Sequence, residues 1–388
     1  MPETSTFVDE PKATKEIKVS QAELERRRKA VREAMNAKGL DVLLLTVTGN
    51  IRWLTNMVPF PGAVLVMPQD GLIRMIIGGP RVPPQPAPPP PPGFEPPMGA
   101  PTMPALEYTS HFAGELLVEA LKKYGNARIG IAGGQFMNAG SYQHLTKHLN
   151  TAKFENATDL VDYIKVKKSD EELALIRETC RLQDKLFEYG LSIIEPGKMR
   201  WEIQADIVRK WTEWTTEECA GFQLVADDDQ IFGDKFRKIT KDDHVNLLIE
   251  PRGPGGLWCE VGRPICFGRP SAKMEEMFGL AVEARELFLK NFQPGTDPQL
   301  LWENNNEFLR KHGYQEESRL FAHSLGYDMV ERPTITPGET MPMPTRLNMG
   351  IHPVVKSEGH GWVCDNYFMF DDGKVERLHK TPVKIFVI

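Results

Sequence analysis

The chain has 388 residues, 41% hydrophobic and 26% charged, with a formal net charge of −6 and a sequence pI of about 5.9. That composition supports a large folded core in two domains. The acidic balance argues against nucleic acid as a partner, and no apolar run reaches the roughly 18–20 residues needed to span a bilayer.

The first segment, MPETSTFVDEPKATKE, is polar and lacks the apolar stretch of a signal peptide. Residues 1–19 read as a disordered lead-in. Five scattered cysteines without a CxxC pair read as reduced thiols, so the protein is expected to be cytoplasmic. Gln21–Leu40 has helical spacing, with Leu24, Val31 and Met35 on one stripe and Gly39 as C-cap. DVLLLTV follows as a buried strand and NIRWLTNM as a second ordered piece. GAVLVMPQDGLIRMIIGG reads as two strands joined across Pro68–Gly71.

Between Pro80 and Pro104 the sequence becomes proline-dense. Proline lacks an N–H and fixes φ, which predicts a surface polyproline II arm rather than a helix or central strand. Glu115–Gly125 then reads as a helix, RIGIAGG as a strand and Tyr142–Leu149 as a helix. ATDLVDYIK is expected as a strand leading into a long helix. Ser169, three residues before Glu172, forms a capping box for that helix. The domain boundary is placed here: 20–166 as a smaller N-terminal α/β domain and 167–388 as the C-terminal domain. The second part reads helix, helix, strand, strand, then the same again. The fold class is therefore α+β.

The chemistry is concentrated in five short segments of that second part, at Glu250, Glu260–Arg263, His323, His352 and Cys364–Asp365, within the strings LLIEPRGPGGLWCEVGRP, FAHSLGYDM, LNMGIHPVV and GWVCDNYFMFDDG. Each places a polar side chain in or beside an apolar run, where an unpaired charge is costly. Glu250 ends the strand Val245–Ile249, and its plain structural role would be an ion pair to Arg252 or Arg263. Glu260 has the same alternative with Arg263, which otherwise reads as substrate-binding. His323 and His352 stand in strand-like strings. Asp365 and Cys364 are strand neighbours, so only one of them faces inward. Carboxylate chemistry favours Asp365 as a ligand and leaves Cys364 to substrate. His360, Trp258, Trp362 and Tyr327 are candidate substrate contacts or core; His111, His144, His148 and His312 read as surface residues.

The whole series resembles the creatinase/prolidase/methionine-aminopeptidase family, the pita-bread fold. The N-terminal RRRKAVREAMNAKGLDVLLL and NIRWLTN, the IKVKKSDEELALIRE helix start, and the Asp372–Leu378 turn carry the resemblance along with the five segments. It implies a C-terminal pita-bread catalytic domain and a homodimer. In the family's peptidases, two divalent metals are held by Asp, Asp, His, Glu and Glu. Residue by residue, those positions fall on Glu250, Glu260, His323, His352 and, without gaps, Cys364, with Asp365 next to it. A mixed His/carboxylate set suits Zn, Mn or Fe. A metal-free mechanism like that of creatinase stays open, with a histidine as general acid/base.

Two further positions depart from the peptidases. Val330 stands where they carry a second histidine, and DDDQIFGDKFRK, around Gly233, has none where they carry another. The resemblance therefore points to the non-peptidase branch and a small-molecule substrate. Its candidate activities are C–N hydrolysis, a metal-dependent lyase reaction like that of the dimethylsulfoniopropionate lyases, and a catalytically inactive binding role. The expected catalytic set is His323, His352, Glu250 and Glu260.

Overall fold

A computed structural model describes residue 13 and residues 16–79, 89–103, 105–219, 222–226, 236–357 and 359–388. The expectations for the first residues, most of the proline run and the loop around Gly233 lie outside them. The chain divides into two compact units, Val19–Lys165 and Val166–Ile388, with the residues before Val19 grouped with the second. Among the described residues no helix is long and apolar enough to cross a membrane.

The first unit begins with α1 (Gln21–Lys38), capped by Ser20 accepting the Glu23 N–H and closed by Gly39 at φ +66°. Leu24, Val31 and Met35 are buried along it, as the spacing predicts. Then come β1 (Val42–Leu45), α2 (Thr48–Thr55), β2 (Val64–Pro68) and β3 (Arg74–Gly79). They are followed by β4 (Met98–Pro101), α3 (Phe112–Leu121), β5 (Arg128–Ala132), α4 (Ala139–His148), β6 (Lys153–Asn156) and α5 (Thr158–Lys165). The strands form one mixed sheet in the order β4-β3-β2-β1-β5-β6.

Two expectations need correction here. The end of the proline-dense segment is not an arm: β4 pairs in parallel with β3 at the sheet edge, where proline is tolerated. ATDLVDYIK is a helix, not a strand. Asn156 Oδ1 accepts the Thr158 N–H at 2.9 Å, which starts the turn, and the buried Leu160 and Val161 share one side of α5.

The second unit opens with α6 (Asp170–Ile193), whose Ser169/Glu172 capping box forms as expected. It continues with α7 (Arg200–Thr215), β7 (Phe222–Ala226), β8 (His244–Ile249), β9 (Val261–Cys266), α8 (Ala272–Asn291) and α9 (Pro298–Lys311). The remaining strands are β10 (Ala322–Ser324), β11 (Glu331–Thr334), β12 (Leu347–Ile351), β13 (Val354–Ser357), β14 (Gly359–Trp362), β15 (Asp365–Met369), β16 (Val375–Arg377) and β17 (Phe386–Val387). Two sheets result, ordered β17-β9-β8-β7 and β11-β10-β12-β15-β16, with β13-β14 as a separate hairpin. A pair of backbone hydrogen bonds between Gly262 and Cys364 joins the two sheets, at 3.1 and 3.2 Å.

Strand alternation gives each sheet a core face and an opposite face. Val245, Leu247, Ile249, Val261 and Ile265 enter one apolar cluster. Leu347, Met349, Ile351, Tyr367 and Met369 enter another. Their strand neighbours therefore look the other way: Leu248, Glu250, Glu260 and Gly262 from one sheet, and Asn348, Gly350, His352, Cys364 and Asn366 from the other. The functional candidates gather on this second face, at the seam.

Candidate active site at the sheet seam

Glu260, just before β9, His323 on β10 and His352, just after β12, converge. One ligand atom from each lies within 4.8 Å of the others, the one such cluster of three or more among the described residues. His323 Nε2 is 3.9 Å from Glu260 Oε2, and His352 Nε2 is 3.7 Å from Glu260 Oε1. The two imidazoles meet edge to face, with centroids 5.2 Å apart and planes at 67°.

The tautomer of His323 is set by its surroundings. Its Nδ1 lies 3.1 Å from the Ser324 carbonyl oxygen, which can only accept, so Nδ1 carries the proton and Nε2 turns a lone pair toward Glu260. Burial pushes His323 down to about 4 from the usual 6.5, although the Ser324 carbonyl opposes the shift. Burial, then the neighbouring His323 and Arg319, hold His352 well below its ordinary value. Both rings are thus neutral at pH 7, the form that binds metals.

Glu260 moves the other way. Burial first, then the charge of Glu250, push it up to about 8, while hydrogen bonding by the Cys364 thiol and the charge of Arg319 pull it back. Its Oε1 is buried without a hydrogen-bond partner among the described residues. Two imidazole Nε2 atoms around an orphaned carboxyl oxygen are a donor set that fits a divalent cation. Glu250, at the end of β8, lies within the field of Glu260 but outside the three-ligand cluster. Of the two arginines near it in sequence, Arg252 bonds Glu218 at 3.0 Å and Arg263 bonds Asp365.

That last pair corrects two assignments. Asp365 is fully buried on the core face of β15, in phase with Tyr367 and Met369, and accepts from Arg263 Nη2 at 2.7 and 2.9 Å. Arg285 and Arg377 approach it at 3.3 and 3.5 Å. The carboxylate is neutralised behind the site, so it does not join the three-ligand cluster, and Cys364 takes the inward position. Arg263 is fully buried and also donates to the carbonyls of Gly262, Cys364, Thr381 and Pro382. It has no donor left for substrate.

Trp362 stacks on Gly262, where any Cβ would overlap its ring, and packs with Val354 and Cys364 into an apolar wall. Trp258 is half-buried under the Arg252 guanidinium, 5.7 Å from its ring centre. Tyr327 is buried in a turn that Glu331 closes by accepting the Tyr327 and Asp328 N–H groups. The side chain of His360 lies outside the described residues. Val330 is exposed.

Several residues of the site had no signal in the sequence. Arg319, gripped by Glu317 at 2.7 Å, acts electrostatically on both Glu260 and His352. Gly350 lies opposite His323 in the ladder and directly under Glu260. Asn366, Asn348, Gln183 and His379 form a buried polar network behind the carboxylate.

These shifts predict the pH dependence of the metal-stripped protein. His323 and His379, both near 4, and His352, well below 6.5, bind fewer protons folded than unfolded. Stability should therefore rise with pH up to about 6.5. Glu260, raised from 4.5 to about 8, binds more protons folded, so its contribution is lost as pH climbs through that window. Three histidines outweigh one carboxyl below 6.5, and above it the carboxyl acts alone. Denaturant midpoints should be highest near pH 6.5 and lower at both pH 5 and pH 8. A midpoint still climbing at pH 8 would mean that Glu260 is already ionised.

The sequence matches Metallopeptidase family M24 over residues 174–375 and the Creatinase/Prolidase N-terminal domain over residues 27–165. An uncharacterized hydrolase/peptidase of Sinorhizobium fredii, y4tM, is 24% identical over 323 residues, covering 79% of this chain and 81% of that protein. An Xaa-Pro dipeptidase of Pyrococcus furiosus is 22% identical over 247 residues, 60% of this chain and 68% of its own length. Among solved structures, the prolidase from Pyrococcus horikoshii superposes with a TM-score of 0.75 at 17% identity, over 94% of this chain and all of its own. The sheets, the seam and the family match agree: this chain belongs to metallopeptidase family M24, with a creatinase/prolidase N-terminal domain and the pita-bread fold.

Proposed function

We propose that this protein is a metal-assisted hydrolase of a C–N bond in a small molecule, distinct from an ordinary Xaa-Pro dipeptidase. The observation that carries the proposal is the Glu260–His323–His352 cluster, with two neutral imidazoles facing a carboxylate that has an unpartnered oxygen. His352 at a position where the peptidases hold a bridging Glu removes one negative charge, which favours one tightly bound cation over a close pair. Zn, Mn or Fe suits such a donor set. When bound, the cation supplies Lewis acidity toward a substrate oxygen or a water.

The chain's own residues do the rest. His323 is oriented by Ser324 and His352 by its place after β12, so both present Nε2 from fixed backbones. Glu250 is the second carboxylate and the group proposed to take a proton from the attacking water. Cys364, Trp362 and Val354 exclude bulk solvent from one side. A homodimer, by family resemblance, and a cytoplasmic location, from five free thiols, belong to the same reading.

Val330, exposed where the peptidases carry a histidine, favours a second reading, elimination by a lyase. A β-elimination needs no donor for a tetrahedral oxyanion, whereas peptide hydrolysis does, and losing one such donor costs roughly 10²–10³ in rate. Product analysis separates the two readings: hydrolysis incorporates oxygen from labelled water, and elimination leaves an alkene.

Elemental analysis of the purified protein should find about one equivalent of Zn, Mn or Fe. Xaa-Pro dipeptides should be turned over with kcat/KM below about 10⁴ M⁻¹s⁻¹, the lower end of the usual enzyme range. A protein without stoichiometric metal whose activity survives chelators belongs with a metal-free mechanism instead. Efficient dipeptide cleavage would make it a prolidase.

A further inference from the structure

Behind Glu260, four buried hydrogen bonds close a ring. The peptide group joining Cys259 to Glu260 is held at both ends: its C=O accepts from Gln183 Nε2 at 2.6 Å, and its N–H donates to Asn366 Oδ1 at 2.6 Å. The Asn366 backbone N–H donates to His379 Nδ1 at 3.2 Å, and His379 Nε2 lies 3.1 Å from Gln183 Oε1. Gln183, Asn366 and His379 are all fully buried.

The donors and acceptors in this ring allow one assignment. A backbone N–H only donates, so His379 Nδ1 accepts, and the neutral ring carries its proton on Nε2. That proton goes to Gln183 Oε1. Both hydrogens of Gln183 Nε2 are then free for carbonyls, and a second carbonyl is present: Pro251 O, at 3.1 Å. Flipping the Gln183 amide would set its oxygen against two carbonyl oxygens and its NH₂ against an N–H donor. The amide is locked.

Pro251 follows Glu250, and Cys259 precedes Glu260. One side chain on α6 therefore ties the chain beside both carboxylates, and a peptide clamped at its C=O and its N–H cannot rotate. Val261, the next residue, is paired with Ile249 in the β8–β9 ladder, so the chain is held on both sides of Glu260 and the direction of its Cα–Cβ bond is fixed. Asn366 is itself held by donating to Asn348 Oδ1 at 2.8 Å. We propose that Gln183, His379 and Asn366 are positioning residues, a ring that fixes the Cys259–Glu260 peptide and so aims the Glu260 carboxylate at a divalent cation. The proposal rests on the cation site of the preceding subsection.

The test measures Zn²⁺ and Mn²⁺ dissociation constants of the metal-stripped full chain by competition with a chromophoric chelator, beside Tm of the same samples. Gln183→Met and His379→Leu keep size and remove the polar links; each should weaken binding by about 10–100-fold, the usual cost of losing a group that orients a ligand. His379→Gln offers an acceptor and a donor in the places of Nδ1 and Nε2, and should stay within about 3-fold of wild type, a small fraction of that cost. A purely structural ring would lower Tm in the apolar variants and leave the affinities unchanged, which overturns the proposal. If neither apolar variant folds, Gln183→Glu, of the same shape, decides on the same criterion, and its failure to fold assigns the ring to stability alone. A wild type that takes up neither cation removes the cation site and the proposal with it. A wild type that binds while all variants match it removes only the positioning role.

Discussion

His323→Ala and His323→Gln should both lose turnover by at least about 10²–10⁴-fold, the range attached to a general acid/base alone. The same loss should appear as failure to retain a divalent cation. The imidazole presents Nε2 to Glu260 because Nδ1 is committed to Ser324. The residue is buried, so the alanine variant loses some packing as well as chemistry. The glutamine variant fills most of that volume and separates the two effects: it should unfold within a few degrees of wild type while remaining inactive. Near-wild-type turnover of the true substrate by His323→Gln would show that His323 is a core residue and that the site is centred elsewhere.

How much of this could be read from the sequence differs by element. β8 was legible because the apolar run Val245–Ile249 ends at Glu250. α1 and α6 each announced one end, through Gly39 and through the Ser169/Glu172 box, which act within one turn of the chain. ATDLVDYIK was misread because its apolar residues are too few to separate a period of two from one of 3.6. Cys364 against Asp365 could not be decided locally. Alternation states that neighbours face apart, yet CDNYFM is apolar in both phases, so nothing in it names the inner face. The pairing of Gly262 with Cys364 and the burial of Tyr367 and Met369 against α8 and α9 place Cys364 on the inner face, and both depend on elements distant in the sequence. The ring behind Glu260 is further from view: Gln183 and His379 meet across 196 positions. A buried glutamine on an amphipathic helix carries no local mark of its partner.

Gly350→Ala should reduce turnover by about 10²-fold, the cost of a displacement of about 1 Å at a reacting centre. This glycine is not required by its backbone, since it is absent from the positive-φ residues and lies in a regular strand between His323 and Asn366. Space alone demands it, because a Cβ there would overlap Glu260 Oε1, with the carboxyl carbon and Leu325 also close. The carboxylate cannot swing away freely, because Glu260 is buried. It must either give up its approach to His352 or push β12 outward, and both outcomes move a ligand. A compensating change isolates the cause. Glu260→Asp withdraws the carboxylate by one methylene and should be damaging alone, since the ligand then falls short of both histidines. In the Gly350→Ala background the shorter side chain makes room for the new methyl, so the double variant should lose less than the product of the two single losses. Strictly multiplicative losses would mean that Gly350 and Glu260 do not touch in the working enzyme.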